Sequence, residues 1–154
     1  MNKYMKAAYD EALKSIETGE GGPFGAVIVK NGEIIAAAHN QVLAACDPTM
    51  HAEIAAIRLA TRKLGRFRLN DCSIYTTCEP CPMCLGAIIW AKIPEVYFGA
   101  NRKDAENAGF DDNYIYEYIK GTAPEKKITV RGLDREECLE LFDRWLKKKN
   151  KIIY

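Results

Sequence analysis

The order of apolar periodicities along this 154-residue chain predicts an α/β fold, a three-layer α/β/α arrangement around a five-stranded mixed sheet. Three observations carry that expectation. The chain opens and nearly closes on stretches with apolar residues at helical spacing. Two short apolar runs flank Asn31-Gly32, the strongest two-residue hairpin signal. Beyond them, strand-like and helix-like segments alternate, as β-α-β crossovers do.

Residues 2–18 place Met5, Ala8, Ala12 and Ile16 on one helical face, and Gly19, Gly21, Gly22 and Pro23 end the helix. Residues 24–30 (FGAVIVK) read as a strand, with 33–38 as its antiparallel partner. Asp47-Pro48-Thr49 combines a capping side chain with a proline suited to a first turn, which predicts a helix from there to Leu64, stopped by Gly65. Residues 72–77 (CSIYTT) form a third strand, a helix runs from Pro80–Pro82 to about Lys92, and 95–99 (EVYFG) form a fourth strand. Residues 103–120 read as short helical pieces, 127–131 as a fifth strand, and 134–149 as a last helix with Cys138, Leu141, Phe142 and Trp145 on one face. No repeat or linker interrupts the pattern, so one domain is expected over residues 1–154.

Composition narrows the function classes. Hydrophobic residues make up 48% and charged residues 28%, the proportions of a soluble globular protein. A net charge of +1 argues against a dedicated nucleic-acid binder and toward a small-molecule ligand. No run approaches the roughly 20 apolar residues of a membrane span. Met1 to Glu20 lacks the apolar stretch of a secretory signal. A reduced, cytoplasmic protein is expected, in which the six cysteines serve as metal ligands or core residues rather than disulfides.

The most specific pattern is split: His51-Ala52-Glu53, then Pro80-Cys81-Pro82-Met83-Cys84. One imidazole and two thiolates give three zinc ligands, His51, Cys81 and Cys84. Three protein ligands with a fourth position open to water mark a catalytic zinc, whereas a structural zinc normally has four. Cys81 and Cys84 share a face of a helix first turn, where the macrodipole favours thiolate. His51 and Glu53 are two residues apart and reach one site only if His51 sits at the very start of its helix. Zinc at such a site lowers the pKa of a water toward about 7. Glu53, beside the metal rather than on it, then accepts the proton and returns it to the substrate. A redox role for Cys81 and Cys84 leaves His51 and Glu53 without a task.

These residues resemble the signature of zinc-dependent nucleobase deaminases, H-x-E…P-C-x-x-C. With Gly21-Gly22-Pro23-Phe24-Gly25-Ala26, residues 47–53, residues 78–87 and Ala108-Gly109-Phe110-Asp111-Asp112, the chain is similar to the cytidine deaminase superfamily, and most of all to small bacterial guanine deaminases. The resemblance implies a cytidine deaminase-like fold, one zinc per chain, and hydrolysis of guanine to xanthine and ammonia by attack at C2. The 108–112 stretch looks like guanine deaminase and unlike the tRNA adenosine deaminases, which share the other motifs. Adenosine-to-inosine deamination in tRNA is the alternative, and a noncatalytic zinc-binding module the alternative from another class.

Carried over by position, the resemblance implies that Phe24 stacks on the purine, that Asn40 and the backbone of Ala52 hydrogen-bond its edge, and that Trp90 closes the pocket. It implies that Asp112 assists proton transfer near the exocyclic amine. It further implies a homodimer in which a swapped C-terminal segment, about 150–154, carries Tyr154 into a partner's site. Position alone leaves Phe24 open between core and stacking, Asn40 between turn and ligand, Trp90 between packing and pocket, and Asp112 between helix cap and catalysis. A terminal Tyr154 ordinarily frays. His39 reads as a surface or satisfied histidine, Cys78 as packing near the metal, and Lys147, Lys148, Lys149 and Lys151 as a solvated helix end.

Overall fold

A computed structural model describes residues 1–125 and 127–153. Helix α1 (Lys3–Thr18) is capped by Asn2, whose side chain accepts from the Tyr4 and Met5 N–H groups, and it ends at left-handed Gly19. Strands β1 (Gly25–Lys30) and β2 (Glu33–His39) form the expected hairpin. Asn31 and Gly32 both take positive φ, 50° and 81°, as a type I′ turn requires. A short helix α2 (Val42–Ala45) precedes α3 (Ala52–Leu64), β3 (Cys72–Cys78), α4 (Pro82–Trp90) and β4 (Glu95–Ala100). Helices α5 (Arg102–Asn107), α6 (Asp112–Lys120) and α7 (Arg135–Lys147) follow.

The sheet has four strands, ordered β2-β1-β3-β4, rather than the expected five. Central β1 is antiparallel to both neighbours, and β3 and β4 are parallel across the α4 crossover. Residues 127–131 are irregular, with Ile128 and Val130 exposed. Their alternation has strand propensity, but that propensity is realised through cross-strand neighbours. Among the described residues β4 pairs only with β3. The Asp47-Pro48-Thr49 helix start is corrected too. Asp47 Oδ1 accepts from both the N–H and the hydroxyl of Thr49, which makes a local turn, and α3 begins only at Ala52.

Two packed layers flank the sheet. Ala8 of α1 meets Val27 and Val29 on one face. On the other, Ala52, Ala55, Ala56 and Ala60 of α3 and Ile88 of α4 meet Ala26, Ile28 and Ile74. The layer of α1 is close enough that a Cβ on Gly25 would fall 2.0 Å from the Ala8 carbonyl oxygen.

Strand register positions the site. Gly25 lies opposite His39, Ala26 opposite Thr76, and Cys78 opposite Ala100. The start of β1 and the ends of β2, β3 and β4 therefore share one edge of the sheet. The segments that carry Phe24, Asn40, Cys81 and Asp112 all leave from that edge, a usual place for ligands in open α/β sheets. Helix α7 buries nothing in this chain, and its Leu141, Phe142 and Leu146 are each about two-thirds exposed. No described helix is long and apolar enough to cross a membrane.

Candidate active site

His51 is the N-cap residue of α3, extended at φ −68° and ψ 159°, and its side chain makes no capping hydrogen bond. That leaves the ring free to face the start of α4. There Cys81 is the N-cap, Pro82 fills the first helical position at no hydrogen-bond cost, and Cys81 Sγ accepts the Cys84 N–H at 3.5 Å. His51 Nδ1 lies 3.6 Å from Cys81 Sγ and 3.5 Å from Cys84 Sγ.

The three donor atoms fall within 4.8 Å of one another. A tetrahedral zinc, with Zn–S near 2.3 Å and Zn–N near 2.05 Å, separates nitrogen and sulfur donors by about 3.6 Å. The spacing fits that ion, and the soft nitrogen-sulfur donor set suits it. Among the described residues no fourth histidine, cysteine or carboxylate joins the group. Cys78 in particular turns away, its thiol directed at the Asn101 carbonyl oxygen at 3.7 Å. Burial pushes that thiol up to about 11.

The charges of the donors are uneven. Cys81 is held down to about 4 by the hydrogen bond from the Cys84 thiol, against the cost of burial and with help from His51. Cys84 is raised because its proton is shared with Cys81 and because it is buried. His51 is raised by its hydrogen bond to Cys81, against burial.

Glu53, in the first turn of α3, is buried at 6% exposure. Thr76 Oγ1 donates to its Oε1 at 3.4 Å, and its Oε2 is 3.5 Å from Cys84 Sγ. Burial raises its pKa, the first condition for a carboxyl that must both take and give a proton near neutrality. The carboxylate stands beside the metal-donor cluster without belonging to it.

A cavity of about 430 Å³ opens over these groups, large enough for a purine base. His51, Glu53 and Cys81 form its floor, and Phe24 and Phe110 one wall. The two rings meet edge to face with centroids 4.7 Å apart, which fixes the Phe24 ring plane. A Cβ on Gly22 would fall 3.0 Å from the Phe24 ring and 3.2 Å from the Phe110 ring, so both rings would have to shift slightly to admit it. Asn40, 5% exposed, also lines the cavity. Its Oδ1 accepts from the Gly22 and Val42 N–H groups at 3.2 Å each, which directs the amide NH₂ to the remaining side. Asp112 begins α6 beside the cavity, and burial raises its pKa. Tyr116 of α6 donates to the Pro80 carbonyl at 2.9 Å and so ties Asp112's helix to the Cys81 loop.

Not every expected residue reaches the cavity. Ala52 is fully buried, and its N–H belongs to the first turn of α3, where no intrahelical acceptor exists. Trp90 is not among the residues that line the cavity within this chain. It ends α4, nine residues from Cys81 and so about 13 Å along the helix axis. It lines a separate apolar groove with Ile57 and Phe67. Tyr154 lies outside the described residues. Residues not singled out from the sequence complete the wall: Val42 and Leu43 of α2, Pro48, and Glu79. A short, solitary helix carries no periodicity from which to find it.

Comparison with known proteins gives one family and several relatives. Residues 1–100 match the cytidine and deoxycytidylate deaminase zinc-binding region. The chain is 48% identical over 151 residues to the guanine deaminase of Bacillus subtilis (strain 168), covering 98% of this chain and 97% of that protein. It is 42% identical over 151 residues to the tRNA-specific adenosine deaminase of the same strain, covering 96% and 91%. The X-ray structure of guanine deaminase from Bacillus subtilis superposes with a TM-score of 0.93 at 47% identity, covering 100% of this chain and 99% of that one.

Proposed function

The chain belongs to the cytidine and deoxycytidylate deaminase zinc-binding family, and we infer from that premise that it is a zinc-dependent aminohydrolase converting guanine to xanthine and ammonia. One juxtaposition supports this most: a buried carboxylate that is not a ligand, next to three zinc donors, at the floor of a purine-sized cavity. The tRNA adenosine deaminases share the motif but match less well. A four-ligand structural zinc would need a donor that the described residues do not offer. Formation of xanthine from guanine by the purified zinc-loaded protein tests the reading, and absence of xanthine contradicts it.

We assign His51, Cys81 and Cys84 as ligands of one zinc per chain. When bound, zinc supplies the Lewis acidity that lowers the pKa of the attacking water toward about 7. The remaining steps belong to this chain's side chains. Phe24, braced by Phe110, stacks on the purine face, and the Asn40 amide NH₂ donates to the purine edge. C2 of the purine is thereby set above Glu53.

Glu53 removes a proton from the attacking water as oxygen bonds to C2, and it passes that proton to the adjacent ring nitrogen. It then carries the second water proton to the exocyclic amine, which leaves as ammonia while the C2 oxygen becomes the new carbonyl of xanthine. One water is consumed and one ammonia released. Asp112, beside the departing amine, assists the last proton transfer.

A single domain over residues 1–154, acting as a cytoplasmic homodimer on a free purine base, completes the proposal. The unburied apolar stripe of α7 supports a tail that packs on a second subunit. Ile153 bears on the direction of that exchange. Its carbonyl is held by Arg68 Nη2 at 3.1 Å, just before the start of β3. The cavity lies at the other end of that seven-residue strand, about 20 Å away. That distance supports a tail that serves a neighbouring subunit's cavity, with Tyr154 proposed as the residue it delivers. Sedimentation equilibrium is expected to give twice the chain mass, and a monomer at working concentration would contradict the swap.

A further inference from the structure

His39 ends β2, next to Asn40, and its ring bridges two carboxylates. Nδ1 lies 2.9 Å from Glu11 Oε2 of α1, and Nε2 lies 2.8 Å from Glu20 Oε2 in the turn after α1. A neutral imidazole carries one N–H and can donate to only one of them. The imidazolium donates to both.

The bridge lies behind the purine cavity and touches both segments that carry its wall. The Glu20 carbonyl oxygen accepts the Leu43 and Ala44 N–H groups, so it caps α2, whose Val42 and Leu43 line the cavity. Gly21, the next residue, presses on Asn40 so closely that a Cβ there would fall 2.1 Å from Asn40 Oδ1. On the other side, Ser15 of α1 donates to the Asn40 carbonyl at 3.0 Å. Glu20 is thus joined to His39 through its side chain, to α2 through its own carbonyl, and to Asn40 through the adjoining Gly21.

We propose that His39 is a positioning residue for purine binding, which holds Asn40 and α2 in place by donating to Glu11 and Glu20 at once. His39 touches neither the cavity nor the zinc donors. Its charged surroundings are Glu11, itself paired with Lys14, and Glu20, with Arg58 and Arg62 of α3 lining the same surface depression. Burial opposes a charge on His39, but the two carboxylate hydrogen bonds outweigh it and raise its pKa above the ordinary value. A raised pKa means that the bridge is complete at low pH and is lost as pH rises through the folded-state value.

The proposal rests on the guanine reading, which wild-type turnover in the same assay decides separately. The test is steady-state kinetics with guanine from about pH 5 to about pH 8. It compares zinc-loaded wild type, His39→Gln and His39→Arg, with zinc content measured in each. His39→Gln carries both its N–H groups on one nitrogen and cannot span the two carboxylates as the two ring nitrogens do, so KM is expected to rise about tenfold, equivalent to about 1.4 kcal/mol, with kcat within about twofold. His39→Arg, always charged and rich in donors, is expected to restore the low KM and to remove its rise with pH. If His39→Gln fails to fold, the pH dependence of KM in wild type against His39→Arg decides. Parallel KM profiles in those two, or a loss of kcat at unchanged KM in His39→Gln, would overturn the proposal.

Discussion

Glu53→Gln is expected to keep the fold and the zinc and to lose turnover by about 10⁴-fold, the upper end for a general acid-base, or about 5 kcal/mol of transition-state stabilisation. Glutamine matches glutamate in shape, and its carbonyl oxygen can still accept from Thr76 Oγ1. What it lacks is any capacity to take a proton from water. Glu53 itself is nearly closed to solvent, and burial already disfavours its charge. Removing that charge is therefore expected to leave the melting temperature equal or higher. Loss of activity with unchanged or increased stability separates a catalytic group from a structural one. Asp112→Asn provides contrast. It begins α6 and touches the cavity from one side, so kcat/KM is expected to fall by about 10²-fold, the lower end of the same range. Near wild-type ammonia release from Glu53→Gln would sink the mechanism.

Cys84→Ala is expected to abolish zinc binding and activity together. Its Sγ is one of the three donors found among the described residues, and with two left neither the charge nor the geometry suits a tightly held ion. Stability should follow. Zinc at a thousandfold excess over its Kd adds about 4 kcal/mol to the wild-type fold, so chelation should lower the wild-type melting temperature and zinc should restore it. The Cys84→Ala melting temperature should not respond to zinc. Cys78→Ser is the control, because Cys78 points at the Asn101 carbonyl rather than into the cluster. Metal analysis and thermal melts read both. Zinc retained at one equivalent by Cys84→Ala, or lost by Cys78→Ser, would contradict the ligand set.

Local chemistry made parts of this molecule legible in advance. Asn31-Gly32 specifies a turn by backbone sterics alone, and the hairpin follows. The i, i+2 spacing of His51 and Glu53 required His51 at a helix cap, and it stands there. Long-range pairing was not legible. Residues 127–131 have strand-like alternation, but no sequence pattern says whether the segment reaches a neighbouring strand, and among the described residues β4 pairs only with β3. Asp47-Pro48-Thr49 misleads for another reason. The side-chain hydrogen bond that caps a helix also closes a turn, and here it closes a turn. The resemblance puts Trp90 at the pocket, whereas within this chain helical rise sets it about 13 Å from Cys81 along the axis. Phe110 is the converse case. The 108–112 stretch was distinctive in the sequence, and the structure gives it a physical task as the edge that braces Phe24.

The substrate is decided outside the zinc cluster, by Phe24, Phe110, Asn40 and Asp112 around a cavity of about 430 Å³. Ammonia release from guanine, guanosine, adenine, adenosine, cytosine, cytidine and a tRNA anticodon stem-loop, with the zinc-loaded enzyme, tests that assignment most directly. Release from guanine with xanthine as product is the expected result. Release only from cytosine, or only from the RNA, would contradict it.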